Sequence, residues 1–586
     1  MHTPRWAQVL AVLAPLTFLL MGGLWIDYPG LQYDETLFVH GTYSDPFRAG
    51  IWHTGVLGDP VCVLIMPYLG ALKGWLYMAV LAVAPASAAS LRFPVLVLGA
   101  LTLWLTYCFT RRAFSWRIAL GATWLAASDP LFVLTTRLDW GPVVIQRLLL
   151  MLGCLLVLRW ARQGLAWQLI IAFLVFGIGV FDKATFLFLM LGLALATVCV
   201  FPRELIKGLR NKWAVPAVLA FCIGSLPFWW YPTVRAPEAS STFDFVNGTD
   251  GYLAKYIMLR ASLEGTSVVT WLASEDLASE NAGGENSGGE PDSARDSAVW
   301  LPLGAANGRQ VQQTWTVPAL GLALLLLPFS LQSRHGRGVV FSLLFCLVTL
   351  GAMFPVQSIG SVHHLVLIYP FPQIFLAAGV VAGLQWLGER FSTSGAGIGA
   401  AAKAATQAGT QAATRAAAGA SAVFVVVLTL VNFHSLLQQY DVLLRYGGST
   451  GWSEAIYELD DYLESEQPSH VVAVQWGVFT QLRFLSKDRL HVIEVPQPHG
   501  SPQDPLDKLE QWIPRPESLF VLFDEGQPNP FPEMRQVFYQ SARRLGYEPR
   551  LKRAIADRQG RAMYEVFEVD AADPHESVAA TGSTIE

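Results

Sequence analysis

WAQVLAVLAPLTFLLMGGLWIDYPGLQYDETLF, Trp6 to Phe38, joins an apolar run of about 20 residues to a short polar stretch with two adjacent carboxylates, Asp34 and Glu35. A run of that length spans a hydrocarbon core about 30 Å thick and exceeds a typical signal-peptide core. No small-residue cleavage site follows it, so Trp6 to Ile26 reads as an uncleaved transmembrane helix. The whole chain agrees. Of its 586 residues 53% are hydrophobic and 15% charged, and its mean hydropathy is +0.39. That is more apolar surface than one soluble core of this length buries. The net charge of -5 is small and spread along the chain, which excludes a nucleic-acid binder on charge grounds. Cys62, Cys108, Cys154, Cys199, Cys222 and Cys346 all fall in apolar stretches without CxxC spacing, so neither a disulfide framework nor a thiolate metal site is expected.

Further runs of spanning length give about eleven expected spans, near 7–26, 93–110, 118–136, 143–158, 166–181, 184–201, 214–230, 316–332, 338–354, 365–387 and 419–436. Every second connection is basic: Arg111, Arg112 and Arg117; Arg159 and Arg162; Arg203, Lys207, Arg210 and Lys212; Arg334 and Arg337. By the positive-inside rule those connections are cytoplasmic, as is the N terminus. The loop 27–92, the tips near 137–142 and 182–183, the segment 231–315, the turn 355–364 and everything after about residue 437 then face outward. Residues 61–90, broken by Lys73-Gly74 and by Pro85 to Ser90, are expected as helices lying at the interface.

Residues 275–297 are acidic and Gly/Ser-rich, and read as a flexible insert. Residues 393–420 read as a low-complexity cytoplasmic linker whose alanines also permit a frayed helix. After residue 437 strand-like HVVAVQW (His470 to Trp476), LHVIEV (Leu490 to Val495) and SLFVLF (Ser518 to Phe523) alternate with helix-like segments, and a strand-like pair near 549–569 follows. This pattern predicts a small extracytoplasmic α/β domain, 437–586, with a largely parallel sheet. No Gly-rich phosphate loop marks it as a nucleotide site.

The ionisable residues sort by depth. Transporters place charges near the bilayer midplane, on broken helices arranged as repeats. Here Arg137, Asp139, Lys183, His363 and His364 cluster at the outward ends of their spans, at the level of Asp34 and Glu35, with Arg147 about one turn further in. Cations at headgroup depth suit a lipid-borne phosphate, and a carboxylate beside them suits a base acting on a second substrate from the aqueous side. Glycosyl transfer from a lipid-phosphate sugar meets both demands. The phosphate leaves as an anion, so no acid need protonate it, in contrast to the alkoxide that a glycosidase expels.

The acidic pair in the first outer loop, within YDETLF (Tyr33 to Phe38), a cation at a later hairpin tip, an outer turn leading into YPFP (Tyr369 to Pro372) and a C-terminal outer domain resemble the GT-C glycosyltransferases. The nearest likeness is to the branch of protein O-mannosyltransferases and bacterial lipid A aminoarabinose transferases, over about residues 1–436. The resemblance implies a polytopic α-helical membrane enzyme that inverts configuration at the sugar; the terminus TGSTIE, which carries no eukaryotic retention signal, fits an expected place in a bacterial inner membrane. Its partners would be a polyprenyl- or dolichyl-phosphate-linked donor, an acceptor hydroxyl on a glycan, lipid or protein, and membrane lipids. It places the base on Asp34, with Glu35 orienting it, bonding the acceptor or capping the helix. Lys183 in FDKATF, with Ala184 where glycine is common, would grip the lipid phosphate. Arg137 in TTRLDWGP would be a second phosphate ligand, Asp139 a second carboxylate, and His363 and His364 would stand where relatives have a cation before Tyr369; Tyr33 completes the substrate-binding set.

Each assignment has a plainer alternative: a solvated helix start for Asp34-Glu35, an interfacial ion pair for Arg137 with Asp139, a snorkelling anchor for Lys183, ordinary interfacial rings for the histidines. No cofactor is required, because the basic residues suffice for one monophosphate. A divalent cation held by Asp34, Asp139 and a histidine stays open as an alternative. Two other functions stand behind the transferase: a transporter or flippase of lipid-linked glycans, which calls for internal repeats and midplane charges, and a scaffold whose outer domain binds a partner.

Overall fold

The structure is a computed structural model describing residues 3–39, 52–56, 59–234, 248–273, 305–306, 309–310, 313–357, 359, 361–393, 400–496, 503–527, 529 and 531–571. Its first part is a helical bundle: α1 (Arg5–Gly23), α2 (Tyr33–Leu37), α3 (Leu72–Leu81), α4 (Ala88–Ala113), α5 (Trp116–Ser128), α6 (Pro130–Leu138), α7 (Val144–Gln163), α8 (Ala166–Asp182), α9 (Phe186–Val200), α10 (Pro202–Leu209) and α11 (Ala214–Val234). It continues with α12 (Gly248–Leu263), α13 (Ser267–Ala273), α14 (Thr316–Leu325), α15 (Leu327–Leu331), α16 (Gly336–Met353), α17 (Val362–Leu365), α18 (Phe371–Thr393) and α19 (Ala400–Tyr446). Six described helices are long and apolar enough to cross a membrane, or eight if each of two bent pairs is one span. The remaining expected spans fall on shorter apolar helices, α8, α11 and α14. Leu20, Val215 and Leu325 are exposed on the outside of the bundle, as lipid-facing residues must be. The chain is an integral membrane protein.

Close helix contact has a visible cause at one pair. A Cβ on Gly177 of α8 would collide with the Phe221 carbonyl of α11, and one on Gly224 with the Leu174 carbonyl, so both positions must lack a side chain for the backbones to touch. The bend of 59° between α5 and α6 falls at Asp129-Pro130, where proline opens a new helix and Asp129 Oδ1 accepts the Phe132 N–H at 3.1 Å.

One expectation is corrected. Residues 61–70 are not helical: β1 (Trp52–Val56), β2 (Asp59–Met66) and β3 (Leu69–Gly70) form an antiparallel sheet, and helix begins with α3. Val61, Val63 and Ile65 are β-branched, and the short apolar run is buried on both faces, against Phe38 on one side and Phe181 on the other. Residues 400–420 take the helical alternative that their alanines permit, as the start of the 47-residue α19. The insert 275–297 lies outside the described residues.

The C-terminal part holds α20 (Ala455–Glu466), α21 (Phe479–Ser486), α22 (Gln503–Trp512) and α23 (Glu533–Arg544) around a five-stranded sheet. After a two-residue pair in the bundle, β4 (Ala305–Ala306) with β5 (Arg309–Gln310), its strands are β6 (His470–Ala473), β7 (Val492–Glu494), β8 (Ser518–Phe523), β9 (Tyr547–Ala556) and β10 (Ala562–Ala571). The order is β7-β6-β8-β10-β9; the first three strands are parallel, and the β9–β10 hairpin adds antiparallel to β8. This domain sits against the bundle: Gly30 N–H donates to the Trp452 carbonyl at 2.7 Å, Tyr457 Oη to the Asp27 carbonyl at 3.0 Å and Lys487 Nζ to the Ala84 carbonyl at 3.0 Å.

Candidate active site

The five residues of α2 project in three directions. Gln32 caps the helix, its Oε1 accepting the N–H of Asp34 at 2.7 Å and of Glu35 at 3.2 Å, while Glu35 Oε2 accepts the Gln32 N–H at 3.4 Å. Residues one helical turn apart share a face, so Tyr33 and Thr36 point together, and Asp34 and Glu35 each point about 100° further round. Glu35 turns into the bundle, where Arg92 of α4 grips it with Nε at 2.7 Å and Nη2 at 2.9 Å. Arg92 also donates to the carbonyls of Ile26, Pro29 and Gly30, so the pair staples the exit of α1 to α4. Glu35 is therefore a capping and anchoring residue in this structure. Tyr33 turns the other way and donates from Oη to Glu494 Oε1 at 2.9 Å in the C-terminal domain.

Asp34, half-buried, faces Lys183 and Lys73. Its carboxylate accepts no hydrogen bond among the described residues. Burial pushes it up to about 6 although both ammonium groups pull the other way. Tyr68, in the turn between β2 and β3, borders the same carboxylate, and burial and Asp34 together raise its phenol.

Lys183 arrives at this place by backbone pairing. It follows α8 in extended conformation, bridges Leu69 antiparallel, and is followed by the Ala184 N–H donating to the Tyr68 carbonyl at 2.9 Å. Gln146 Nε2 of α7 donates to the Lys183 carbonyl at 3.1 Å, and Lys183 Nζ donates to the Gly141 carbonyl at 3.0 Å. Burial lowers the ammonium to about 8, against the pull of Asp182, Asp34 and Asp139. A lysine held that way readily gains from an arriving anion.

Asp139 closes the far side. It ends α6 with φ 45°, its Oδ1 accepts the N–H of Val143 at 2.8 Å and of Val144 at 3.1 Å, and its Oδ2 lies 3.3 Å from Lys73 Nζ. It thus caps α7 and fixes Lys73, which also donates to the Asp139 carbonyl at 2.9 Å. His363 and His364 pack beside the tip; a Cβ on Gly141 would collide with the His363 ring. Burial first, and then Lys183 for His363 or His363 and Lys183 for His364, hold both imidazoles below their usual range and so neutral. In this state they offer hydrogen bonds rather than charge.

Two expected residues lie elsewhere. Arg137 is buried with its guanidinium 5.2 Å from the Tyr440 ring, and donates to the carbonyls of Leu24, Trp25 and Tyr28. It secures the chain where α1 ends. Tyr369 stacks on Phe132 at 6.4 Å, beside Asp129, whose Oδ2 accepts from Gln373 Nε2 at 2.9 Å. Among the described residues no group of three or more His, Cys, Asp and Glu gathers as a metal site. Sequence reasoning missed Lys73, Tyr68 and Arg92. A lysine in an otherwise apolar stretch was the available signal for Lys73, and it was read only as a break.

The fold resembles that of the GT-C glycosyltransferases. Residues 70–231 match the family of dolichyl-phosphate-mannose-protein mannosyltransferases. The structure is similar to that of ArnT from Cupriavidus metallidurans bound to undecaprenyl phosphate, with a TM-score of 0.56 at 12% identity, over 97% of this chain and 99% of that one. An oligosaccharyltransferase from Archaeoglobus fulgidus aligns over 98% of this chain and 75% of its own, at 15% identity and a TM-score of 0.44. Among curated proteins no significant match is found.

Proposed function

We propose that the chain is a membrane glycosyltransferase that moves a sugar from a polyprenyl- or dolichyl-phosphate donor to an acceptor hydroxyl on the outer face of a bacterial inner membrane. The observation that carries this reading is the meeting of Asp34 with Lys183 and Lys73 at one end of a GT-C bundle. Asp34 takes the acceptor proton as the hydroxyl oxygen attacks the anomeric carbon; the bond from that carbon to the phosphate oxygen breaks, and the lipid phosphate leaves with the electron pair. Attack opposite the leaving group inverts the anomeric centre. Lys183 holds the phosphate, and its charge grows in worth as negative charge collects on the leaving oxygen. Asp139 orients Lys73, and the neutral histidines donate hydrogen bonds at the rim. With basic residues neutralising one monophosphate, no metal is required. The basic connections support an N terminus in the cytoplasm and a C-terminal domain outside it.

The test is direct. The full chain in nanodiscs, given undecaprenyl-phosphate hexoses and pentoses carrying a labelled sugar together with bacterial envelope acceptors, is expected to transfer label, and Asp34→Asn is expected to abolish it. Movement of the labelled lipid across proteoliposomes without covalent transfer would overturn the reading in favour of a flippase.

A further inference from the structure

A five-residue helix does not hold itself, because so short a segment cannot recover the entropy lost in nucleating it. What holds α2 on the side away from Arg92 is the C-terminal domain. Thr480, buried on α21, donates from Oγ1 to the Tyr33 carbonyl at 2.8 Å and accepts from Thr36 Oγ1 at 2.8 Å. The Tyr33 ring lies 4.5 Å from that of Trp476 and belongs to the same apolar cluster as Ile456, Leu459, Phe479 and Leu482, the core of the α/β domain. Tyr33 Oη reaches on to Glu494 at the end of β7. The helix carrying Asp34 is therefore packed into a domain encoded more than four hundred residues later, Thr480 standing 447 positions after Tyr33.

The geometry points to a working role for that domain: Thr480 is a positioning residue that, with the Tyr33 pocket, fixes the direction of Asp34, so the α/β domain completes the active site from outside the bundle. This rests on the reading of Asp34 as the base. Glu35 and Arg92 pin one side of α2 and Thr480 the other, leaving Asp34 between them with a carboxylate that accepts no hydrogen bond among the described residues. Displacement of a base by about 1 Å costs on the order of a hundredfold in rate. A domain that grips Tyr33 and Thr36 can thus control turnover without touching either substrate.

Thr480→Val keeps the volume and removes both hydrogen bonds. The expected result is a kcat lower by about tenfold or more with the donor KM little changed, rescued by Thr480→Ser. Hydrogen exchange of the full chain in nanodiscs is expected to quicken at residues 33–37 while α4 stays protected. Exchange at 33–37 unchanged in Thr480→Val overturns the anchoring whatever the chemistry, and wild-type kcat in that variant overturns the positioning role. Quickened exchange in Thr480→Val, together with a wild-type chain that transfers none of the labelled sugars, leaves the anchor standing and overturns the transferase reading instead.

Discussion

Two buried polar clusters lie along the same bundle and differ in what their carboxylates do. At the α5–α6 break, Asp129 gives one oxygen to the Phe132 N–H and the other to Gln373, while Asn432 Nδ2 of α19 donates to the neighbouring Ser128 Oγ at 3.3 Å. Its charge is occupied in holding a bend. At the end nearest the α/β domain, Asp34 faces two ammonium groups and accepts no hydrogen bond among the described residues, and Lys183 binds a single carbonyl there. Burying a charge without giving it partners destabilises a fold, so the first cluster reads as architecture and the second as a site kept ready for something absent from the chain itself.

The largest effect expected from that contrast is at Asp34. Asp34→Asn should lower transfer by on the order of 10²–10⁴, the range for losing a general base, measured as labelled product per minute. Stability should move the other way. The folded carboxyl sits near 6 and the unfolded one near 3.8, so the folded state binds the proton more tightly and loses stability as pH rises through that window. Removing the charge should therefore raise neutral-pH stability by about 1–2 kcal/mol, the full shift being discounted for partial exposure. A variant that loses both activity and melting temperature would put Asp34 with Asp129, among the residues that build the fold.

Glu35 supplies the opposite sign one residue away. Glu35→Ala leaves Arg92 buried without its partner and should destabilise the chain by about 3–5 kcal/mol, read as a lower melting temperature in detergent. Lys183→Ala is expected to be milder and selective: the apparent affinity for the donor should fall by about 1.5–3 kcal/mol, the worth of a charged hydrogen bond, with acceptor KM little altered. Equal loss toward both substrates would remove Lys183 from the phosphate and return it to the architectural group with Arg137.

The difference between these clusters was only half visible in the sequence. Long apolar runs locate the helices, because bilayer thickness sets their length. Asp34 stands out since carboxylates are scarce where a span ends. Roles were harder to assign, since Arg137 and Lys183 look alike as cations at helix tips, and only tertiary structure tells that, among the described residues, Arg137 meets three carbonyls and Lys183 one. The hairpin at 52–70 escaped because a short apolar run fits helix and strand equally. Thr480 could not be found at all, because nothing in a sequence joins it to Tyr33 across 447 positions.

The smallest expected effect is also the one that sharpens the contrast most, because it reads both charges at once in the free enzyme. A base titrating near 6 and a cation titrating near 8 should give kcat/KM a bell with limbs at those two values. Activity rises with pH while Asp34 sheds its proton, and falls again as Lys183 loses its own. Bound donor phosphate stabilises the ammonium, so in kcat, measured with donor saturating, the alkaline limb should move upward while the acid limb remains. Lys183→Arg should erase the alkaline limb in kcat/KM altogether, as a guanidinium stays charged throughout that range. An alkaline limb that persists near 8 in Lys183→Arg would assign that titration to another group and leave Asp34 as the only member of the pair with a measured role.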